Sequence, residues 1–138
     1  MKKIYILDAC ALLAFLLDEE GAEKVESILE KGNTSNCTIY MHKLNVLEIY
    51  YGVYREEGKT KANEVLDRIL ALPIKIINEL DDSVFKEAGR LKATQRISLA
   101  DSILLAQAKV NKASVVSADH HEFDEIEKQK EIKFFWIR

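Results

Sequence analysis

The sequence predicts an α/β protein, a three-layer α/β/α sandwich around a mostly parallel central sheet. Short apolar runs alternate with helical patterns along the whole chain, which is typical of strands joined by crossover helices. The chain has 138 residues, of which 48% are hydrophobic, enough for one substantial core. One Pro and five Gly exclude collagen-like and low-complexity chains. Residues 1–138 are therefore expected to form a single domain.

The first half of the chain contains the first three predicted strands. Residues 4–7 form a short apolar run of the kind found in buried parallel strands. Residues 9–17 are apolar on every side, which predicts a buried helix. The amphipathic pattern at 21–30 predicts a helix that stops near Gly32. By the same criteria we expect a strand at 37–41, helices at 43–57 and 60–70, and a strand at 74–77.

The second half continues the alternation. Asp81 or Asp82 is expected to cap a helix that runs to about Gln95. Ser98 opens the next helix, which extends to about Lys109. The remaining predicted elements are a strand at 114–117, a helix at 121–129 and a strand at 133–137.

Charge and cysteine content narrow the class of protein. A net charge of −3 argues against a simple basic nucleic-acid-binding module. Two cysteines do not make a disulfide framework. Cys10 and Cys37 both lie among apolar residues, so we interpret them as reduced core thiols of a cytoplasmic protein.

The N-terminus superficially resembles a signal peptide because Lys2 and Lys3 precede a mostly apolar stretch. Asp8 interrupts that stretch, and its longest uninterrupted apolar run is residues 9–17. A membrane span needs about 20 residues. We therefore expect a buried strand and a buried helix here, and no membrane association.

Two aspartates follow predicted strands. Asp8 comes directly after the first strand, and Asp119 follows the strand at 114–117. Ligands of open α/β sheets bind outside the carboxyl ends of strands, so both could share one crevice. Asp119 taken singly is interpreted as a helix N-cap, with Glu122 completing a capping box. For Asp8 a cap is the weaker interpretation, because the apolar helix that follows leaves its carboxylate little solvent unless something pairs with it.

Glu48 lies on a narrow polar stripe of an otherwise apolar helix. Asn45, Glu48, Gly52 and Arg55 recur at spacings of three and four, which places them on one helical face. Such a stripe is either a solvated face or a functional seam, and the sequence leaves both open.

Asp101 is the fourth acid. The pattern from Ser98 to Asp101 is itself a capping box. The apolar helix that follows must be central, so its first turn is expected near Asp8 and Asp119. At about 4 Å and an effective dielectric near 20, each pair of like charges costs roughly 4 kcal/mol. The cluster must take up protons or bind a hard cation, and oxygen ligands without His or Cys metal spacing favour Mg²⁺ or Mn²⁺ over Zn²⁺.

Four blocks of sequence resemble a known family. They read IYILDACAL at 4–12, NVLEIYYG at 45–52, ISLADS at 97–102 and VVSADHHEF at 115–123. Their order and intervals resemble those of PIN-domain ribonucleases, specifically the VapC-type toxins of toxin–antitoxin pairs, over nearly the whole chain. The resemblance implies a PIN-like fold, an RNA substrate, a homodimer and a cognate antitoxin. It also implies a catalytic site in which Mg²⁺ or Mn²⁺ is bound by Asp8, Glu48, Asp101 and Asp119.

One position departs from the family pattern. The family often has Ser or Thr after the first acid, whereas this chain has Ala9 and Cys10. Ser117 keeps the hydroxyl usually found before the fourth acid. We expect Ser117 and Asn45 to support the metal ligands by hydrogen bonding, with altered support around Asp8.

Several side chains are candidates for contact with RNA. Arg55, Lys43 and Arg96 are the selected candidates for phosphate contacts, although each is residue by residue more often an ordinary solvated cation. The two histidines His120 and His121 are interpreted as surface residues that could touch substrate. The tyrosines of 50–54 could stack bases, but we favour a dimer interface with the helix at 60–70 or a groove for an antitoxin helix.

Two other functions are compatible with parts of the sequence. A haloacid-dehalogenase-type phosphatase also begins with an Asp after its first strand, but it needs a second Asp where Cys10 stands. Its late lysine is poorly matched by Lys109 or Lys112. A catalytically silent PIN-like module that binds RNA or a partner is the alternative that Ala9 keeps open.

Overall fold

The structure of the protein is a computed structural model that describes residues 2–138. Helices and strands alternate along this part of the chain. The strands are β1 (Lys3–Leu7), β2 (Cys37–His42), β3 (Lys75–Ile77), β4 (Ser114–Ser117) and β5 (Lys133–Trp136). The helices are α1 (Ala9–Leu16), α2 (Ala22–Gly32), α3 (Lys43–Glu57), α4 (Lys59–Leu70), α5 (Asp82–Thr94), α6 (Leu99–Asn111) and α7 (His120–Lys128).

The five strands form one parallel sheet in the order β3-β2-β1-β4-β5. In the register, Ile6 of β1 pairs with Tyr40 on one side and with Val115 on the other. Along the chain, β2 and β3 lie on one side of β1, and β4 and β5 lie on its other side. The direction in which strands are added therefore reverses between β3 and β4. This reversal opens a crevice beyond the carboxyl ends of β1 and β4, where parallel α/β sheets bind ligands.

Helices cover both faces of the sheet, which confirms the predicted three-layer architecture. Tyr5 and Leu7 point into one buried cluster, which they share with α1, α2, α3 and α4. Ile6 points to the opposite face and packs with α5, α6 and α7. Successive strand residues thus enter different cores, as the pleat of a strand requires.

The predicted elements are all present, with ends that differ by one or two residues. The helix predicted at 60–70 begins at Lys59, because Gly58 has a φ of +88° and separates it from α3. The helix predicted at 121–129 begins one residue earlier, because Asp119 caps it. None of the helices described in residues 2–138 has the length and hydrophobicity that a membrane span requires.

The two cysteines occupy different environments. Both thiols are free, and Cys37 is buried as predicted. Cys10 is only half-buried and lines the cavity described below, so its interpretation as a core thiol is wrong. Helix α1 is apolar all round, and its sequence therefore contains no polar face that would mark the side turned to the cavity.

Candidate active site

A cavity of about 580 Å³ lies at the carboxyl edge of the sheet. Its walls come from the segments that follow β1 and β4, from helices α3, α5, α6 and α7, and from the segment between α5 and α6. Six carboxylate or amide side chains line it: Asp8, Asn45, Glu48, Asp101, Asp119 and Glu122. The four acids predicted from the sequence therefore share one cavity, although they are as far as 111 residues apart in the chain.

Asp8 connects the two central strands at this edge. Its backbone nitrogen donates to Val116 O at 3.2 Å, and the residue is only 5% exposed. The carboxylate Oδ1 accepts from Ala11 N at 2.7 Å, and Oδ2 accepts from the Ser117 hydroxyl. Asp8 is therefore the N-cap of α1, which is the role that we considered the weaker interpretation of its carboxylate.

Burial raises the pKa of Asp8 to about 7. The hydrogen bonds from Ser117 and Ala11 lower the pKa, while the charges of Asp101 and Asp119 raise it further. The carboxylate is thus held in place by two donors but lacks a compensating positive charge. A cation in the cavity would favour its ionised form.

Asp101 lies in the first turn of α6. Ser98 caps this helix, since its hydroxyl accepts from Asp101 N at 3.1 Å, as the predicted capping box requires. Burial raises the pKa of Asp101 to about 6, and hydrogen bonding to Ser98 offsets this in part. Neighbouring negative charges raise the pKa of Asp101 further, and the charge of Glu48 contributes most among them.

Asp119 combines both roles considered for it. Its Oδ1 accepts from Glu122 N at 3.2 Å, so it caps α7, and it also lines the cavity. Its backbone nitrogen donates to Ser117 Oγ at 2.9 Å. The Ser117 hydroxyl therefore links Asp8 and Asp119, the residues that follow the two central strands.

Glu48 is half-buried on α3 and faces the cavity one turn after Asn45. The Asn45 amide donates from Nδ2 to Glu48 Oε1 at 3.0 Å. Gly52 lines a neighbouring groove rather than the cavity. The polar stripe predicted from the sequence thus reaches the acidic site through its first two members only.

The predicted RNA contacts divide into two groups. Arg96 lines the cavity, as does Lys92, whose Nζ donates to Ile97 O at 2.8 Å. Lys43 and Arg55 are exposed and do not line it. The Arg55 guanidinium instead lies over the Tyr51 ring, 5.4 Å from its centroid.

Glu122 is the acid that the sequence did not place in the site. The capping-box pattern accounts for its backbone nitrogen, which donates to Asp119, but not for its carboxylate. That carboxylate lines the cavity and its charge raises the pKa of Asp101. Glu122 lies one turn after the candidate ligand Asp119, and this spacing is the feature of the sequence that could have placed it in the site.

His120 and His121 are both surface residues, as predicted. The His120 ring stacks on the Trp136 indole with centroids 3.8 Å apart. Its two nitrogens contact Asp124 Oδ1 and Arg138 O, each at 2.8 Å. These contacts join the start of α7 to the last residue of β5 and to the segment after it, beside the site.

The chemistry of the cavity fits a hard divalent cation. Its carboxylate and amide side chains offer oxygen donors, and two of its carboxyl groups have pKa values raised by burial and by neighbouring negative charge. Within residues 2–138, no three His, Cys, Asp or Glu side chains converge closely enough to bind a metal ion as they stand. Mg²⁺ is commonly held by one or two carboxylates with water completing its shell, so three convergent side chains are not required.

Comparisons with known proteins extend this description. A model of the PIN domain family matches residues 5–129. No curated protein sequence matches the chain. Solved structures with a similar fold include DNA-bound VapBC from Salmonella typhimurium, with a TM-score of 0.75, 16% identity and coverage of 100% of both chains.

Two further structures have a similar fold. VapBC2 from Rickettsia felis, bound to a DNA fragment from its promoter, gives a TM-score of 0.73 at 19% identity and covers 96% of this chain and 98% of its own. VapBC-5 from Mycobacterium tuberculosis, a member of the VapBC family of toxin–antitoxin systems, gives 0.62 at 13% identity and covers 96% and 98%. At such identities the similarity concerns the fold alone.

Proposed function

The chain belongs to the PIN domain family, and from this premise we propose that it is a metal-dependent endoribonuclease that hydrolyses RNA phosphodiester bonds. The observation that carries the proposal is the cavity at the carboxyl edge of the sheet, which collects Asp8, Glu48, Asp101 and Asp119. Membership of this family removes the phosphatase alternative. We also propose that residues 1–138 form a single PIN domain, because one sheet serves both buried clusters.

In this proposal Asp8 and Asp101 are the principal ligands of Mg²⁺ or Mn²⁺, and Glu48 and Asp119 complete the ligand set or orient water. When bound, the cation supplies positive charge that lowers the pKa of an attacking water molecule and offsets charge on the phosphate. Ser117 holds Asp8 through its hydroxyl, and the Ala11 backbone holds the other carboxylate oxygen.

Positively charged side chains at the rim would receive the RNA backbone. Arg96 lines the cavity, and within residues 2–138 it forms no ion pair with a carboxylate at 4.0 Å or less. It is therefore available to contact a phosphate next to the scissile bond. Lys43 and Arg55 lie outside the cavity and would contact only more distant parts of the RNA.

Removing the metal is the direct test of this function. Purified protein is expected to cleave RNA with Mn²⁺ or Mg²⁺, to stop when EDTA is added, and to resume when the metal is restored. Cleavage that continues in EDTA would overturn the metal-dependent mechanism. Protein that binds RNA but never cleaves it, with any of these metals, would support the catalytically silent module instead.

We further propose that the protein is the toxin of a toxin–antitoxin pair. A groove between α1 and α3 adjoins the acidic cavity and shares Glu48 with it. The groove has apolar walls and an acidic rim, formed by Leu13, Leu17, Ile49, Val53, Glu48, Glu56 and Glu57. An amphipathic antitoxin helix with basic residues along one edge would match both features. We also propose that the protein forms a homodimer. Tyr51 and Tyr54 are both exposed on α3 and belong to the surface that we expect to form the dimer interface.

Induced expression tests the toxin role separately from nuclease activity. Growth of the host is expected to stop when the wild-type protein is induced and to continue when Asp8→Asn is induced at the same level. Co-expression of an antitoxin encoded beside the gene is expected to restore growth. Unchanged growth with active wild-type protein would exclude the toxin role and leave the nuclease proposal intact.

A further inference from the structure

Asn45 is a buried amide one turn before Glu48 on α3. Its side chain is 1% exposed, and its Nδ2 donates to Glu48 Oε1 at 3.0 Å. Its Oδ1 is buried and has no hydrogen-bond partner among the described residues. The amide nitrogen faces Glu48, since of the two polar atoms of the amide only the nitrogen can donate to a carboxylate oxygen.

This arrangement is unfavourable for folding. A buried carbonyl oxygen without a donor loses its hydrogen bonds to water and gains none in the protein. The neighbouring positions Val46 and Ile49 belong to the apolar core. A leucine, which has the same branching, would avoid the unsatisfied oxygen, so packing does not explain an amide at this position.

The remaining contact of the amide is with a residue of the acidic cavity. We propose that Asn45 is a positioning residue, whose amide nitrogen holds the Glu48 carboxylate in the orientation required for divalent-metal binding. The role rests on the function proposed above. On this proposal, the unsatisfied Asn45 oxygen lowers the stability of the fold and is retained because the amide nitrogen is needed at the metal site.

Gln107 provides a matched control elsewhere in the fold. It is 4% exposed, its Nε2 donates to Asn111 Oδ1 at 2.7 Å, and its Oε1 also lacks a partner among residues 2–138. It lies six residues after Asp101 on α6, about 9 Å along the helix axis. It does not line the cavity. Gln107 thus repeats the buried, half-satisfied amide without the link to an acid of the site.

The experiment measures Mn²⁺ affinity by calorimetry and the melting temperature in EDTA. The proteins are the full-length wild type, Asn45→Leu, Asn45→Thr and Gln107→Met. Asn45→Leu removes the donor and the unsatisfied oxygen together. Asn45→Thr supplies a hydroxyl that can donate to Glu48, and it has no side-chain carbonyl. Gln107→Met removes the same groups away from the site.

We expect Asn45→Leu to weaken Mn²⁺ binding at least about 10-fold, as loss of a partner that orients a metal ligand does. Its melting temperature in EDTA should equal or exceed that of the wild type. Asn45→Thr should recover most of the affinity, and Gln107→Met should bind Mn²⁺ like the wild type.

Wild-type affinity in Asn45→Leu would overturn the positioning role and leave the proposed nuclease standing. A lower melting temperature of Asn45→Leu in EDTA, with no recovery of affinity in Asn45→Thr, would identify Asn45 as a structural residue and overturn it equally. Absence of Mn²⁺ binding by the wild type would instead remove the metal-dependent function, and the role of Asn45 with it.

Discussion

Asp8→Asn is expected to lower the rate of RNA cleavage at least about 100-fold while making the metal-free protein more stable. Loss of a group that merely supports a metal ligand costs about 10–100-fold, so loss of a principal ligand should cost no less. The gain in stability has a different cause. Asp8 is 5% exposed and its pKa is about 7, against an ordinary value of 3.8, so ionisation is costly in the fold. This difference corresponds to roughly 4 kcal/mol above pH 7.

Asparagine removes that cost and keeps the local hydrogen bonds. Its Oδ1 can still accept from Ala11 N, and its amide can donate to the Ser117 hydroxyl, which reverses its role. Urea denaturation in EDTA should therefore show Asp8→Asn above the wild type at pH 8 and close to it near pH 4.

Asp81→Asn is the matched control for Asp8→Asn. Asp81 caps α5 by accepting from Val84 N at 3.0 Å, and it is exposed and does not line the cavity. Asn is as good an N-cap as Asp. This variant should keep wild-type cleavage and show no gain in stability. Cleavage by Asp8→Asn within a few-fold of the wild type would remove Asp8 from the ligand set.

The meeting of Asp8 and Asp119 could be predicted because topology decides it. Each residue follows a buried strand, and parallel strands end at a common edge. The sequence also predicts that Asp101 lies near these two residues, because the helix that follows it is too apolar to lie anywhere but against the centre of the sheet. These arguments use only strand ends and helix starts, which apolar patterns and capping residues mark well.

The sequence was less informative about distances along a helix. Arg55 was grouped with Glu48 because both lie on one helical face. Seven residues separate them, which is about 10 Å along the axis, and this takes Arg55 beyond the cavity to the Tyr51 ring. A helical wheel shows the direction of a side chain but not its height.

Positions with two simultaneous roles were also difficult to predict. Asp8 is both the N-cap of α1 and a residue of the cavity, so these two interpretations of its carboxylate are not alternatives. The capping pattern predicts the backbone contact of Glu122 but contains no information about where its carboxylate lies. Because a backbone contact and a side-chain contact can belong to one residue, a capping motif does not exclude a site.

The stability of the metal-free protein is expected to fall as the pH rises from about 6.5 to 8. The pKa of Asp8 is raised to about 7, chiefly by burial, so the folded chain holds a proton that the unfolded chain has already released. Stability therefore decreases with pH until Asp8 is fully ionised. Asp101, whose pKa is about 6, acts in the same direction and completes its contribution near the lower end of this range.

Other groups with shifted pKa values do not reverse this decrease in stability between pH 6.5 and 8. Burial lowers the pKa of His42 below its ordinary value of 6.5, so its stabilising effect with rising pH lies mainly below that value. Ion-paired Glu87 has a lowered pKa and acts near or below its ordinary value of 4.5. His120 has a raised pKa through its bonds to Asp124 and Arg138, and acts in the same direction as Asp8.

Mn²⁺ is expected to reverse the trend, because it binds the ionised carboxylates and has to displace protons at lower pH. A cation at 100 times its dissociation constant adds about 2.7 kcal/mol, which raises the melting temperature of a chain of this size by roughly 10 °C. Melting curves at pH 5, 6.5 and 8, with EDTA or Mn²⁺, should show the largest increase at pH 8. The double variant Asp8→Asn/Asp101→Asn should show a flatter profile in EDTA and no response to Mn²⁺. A wild-type response to Mn²⁺ that is equal at pH 5 and pH 8, or one that survives in the double variant, would place the cation somewhere other than these carboxylates.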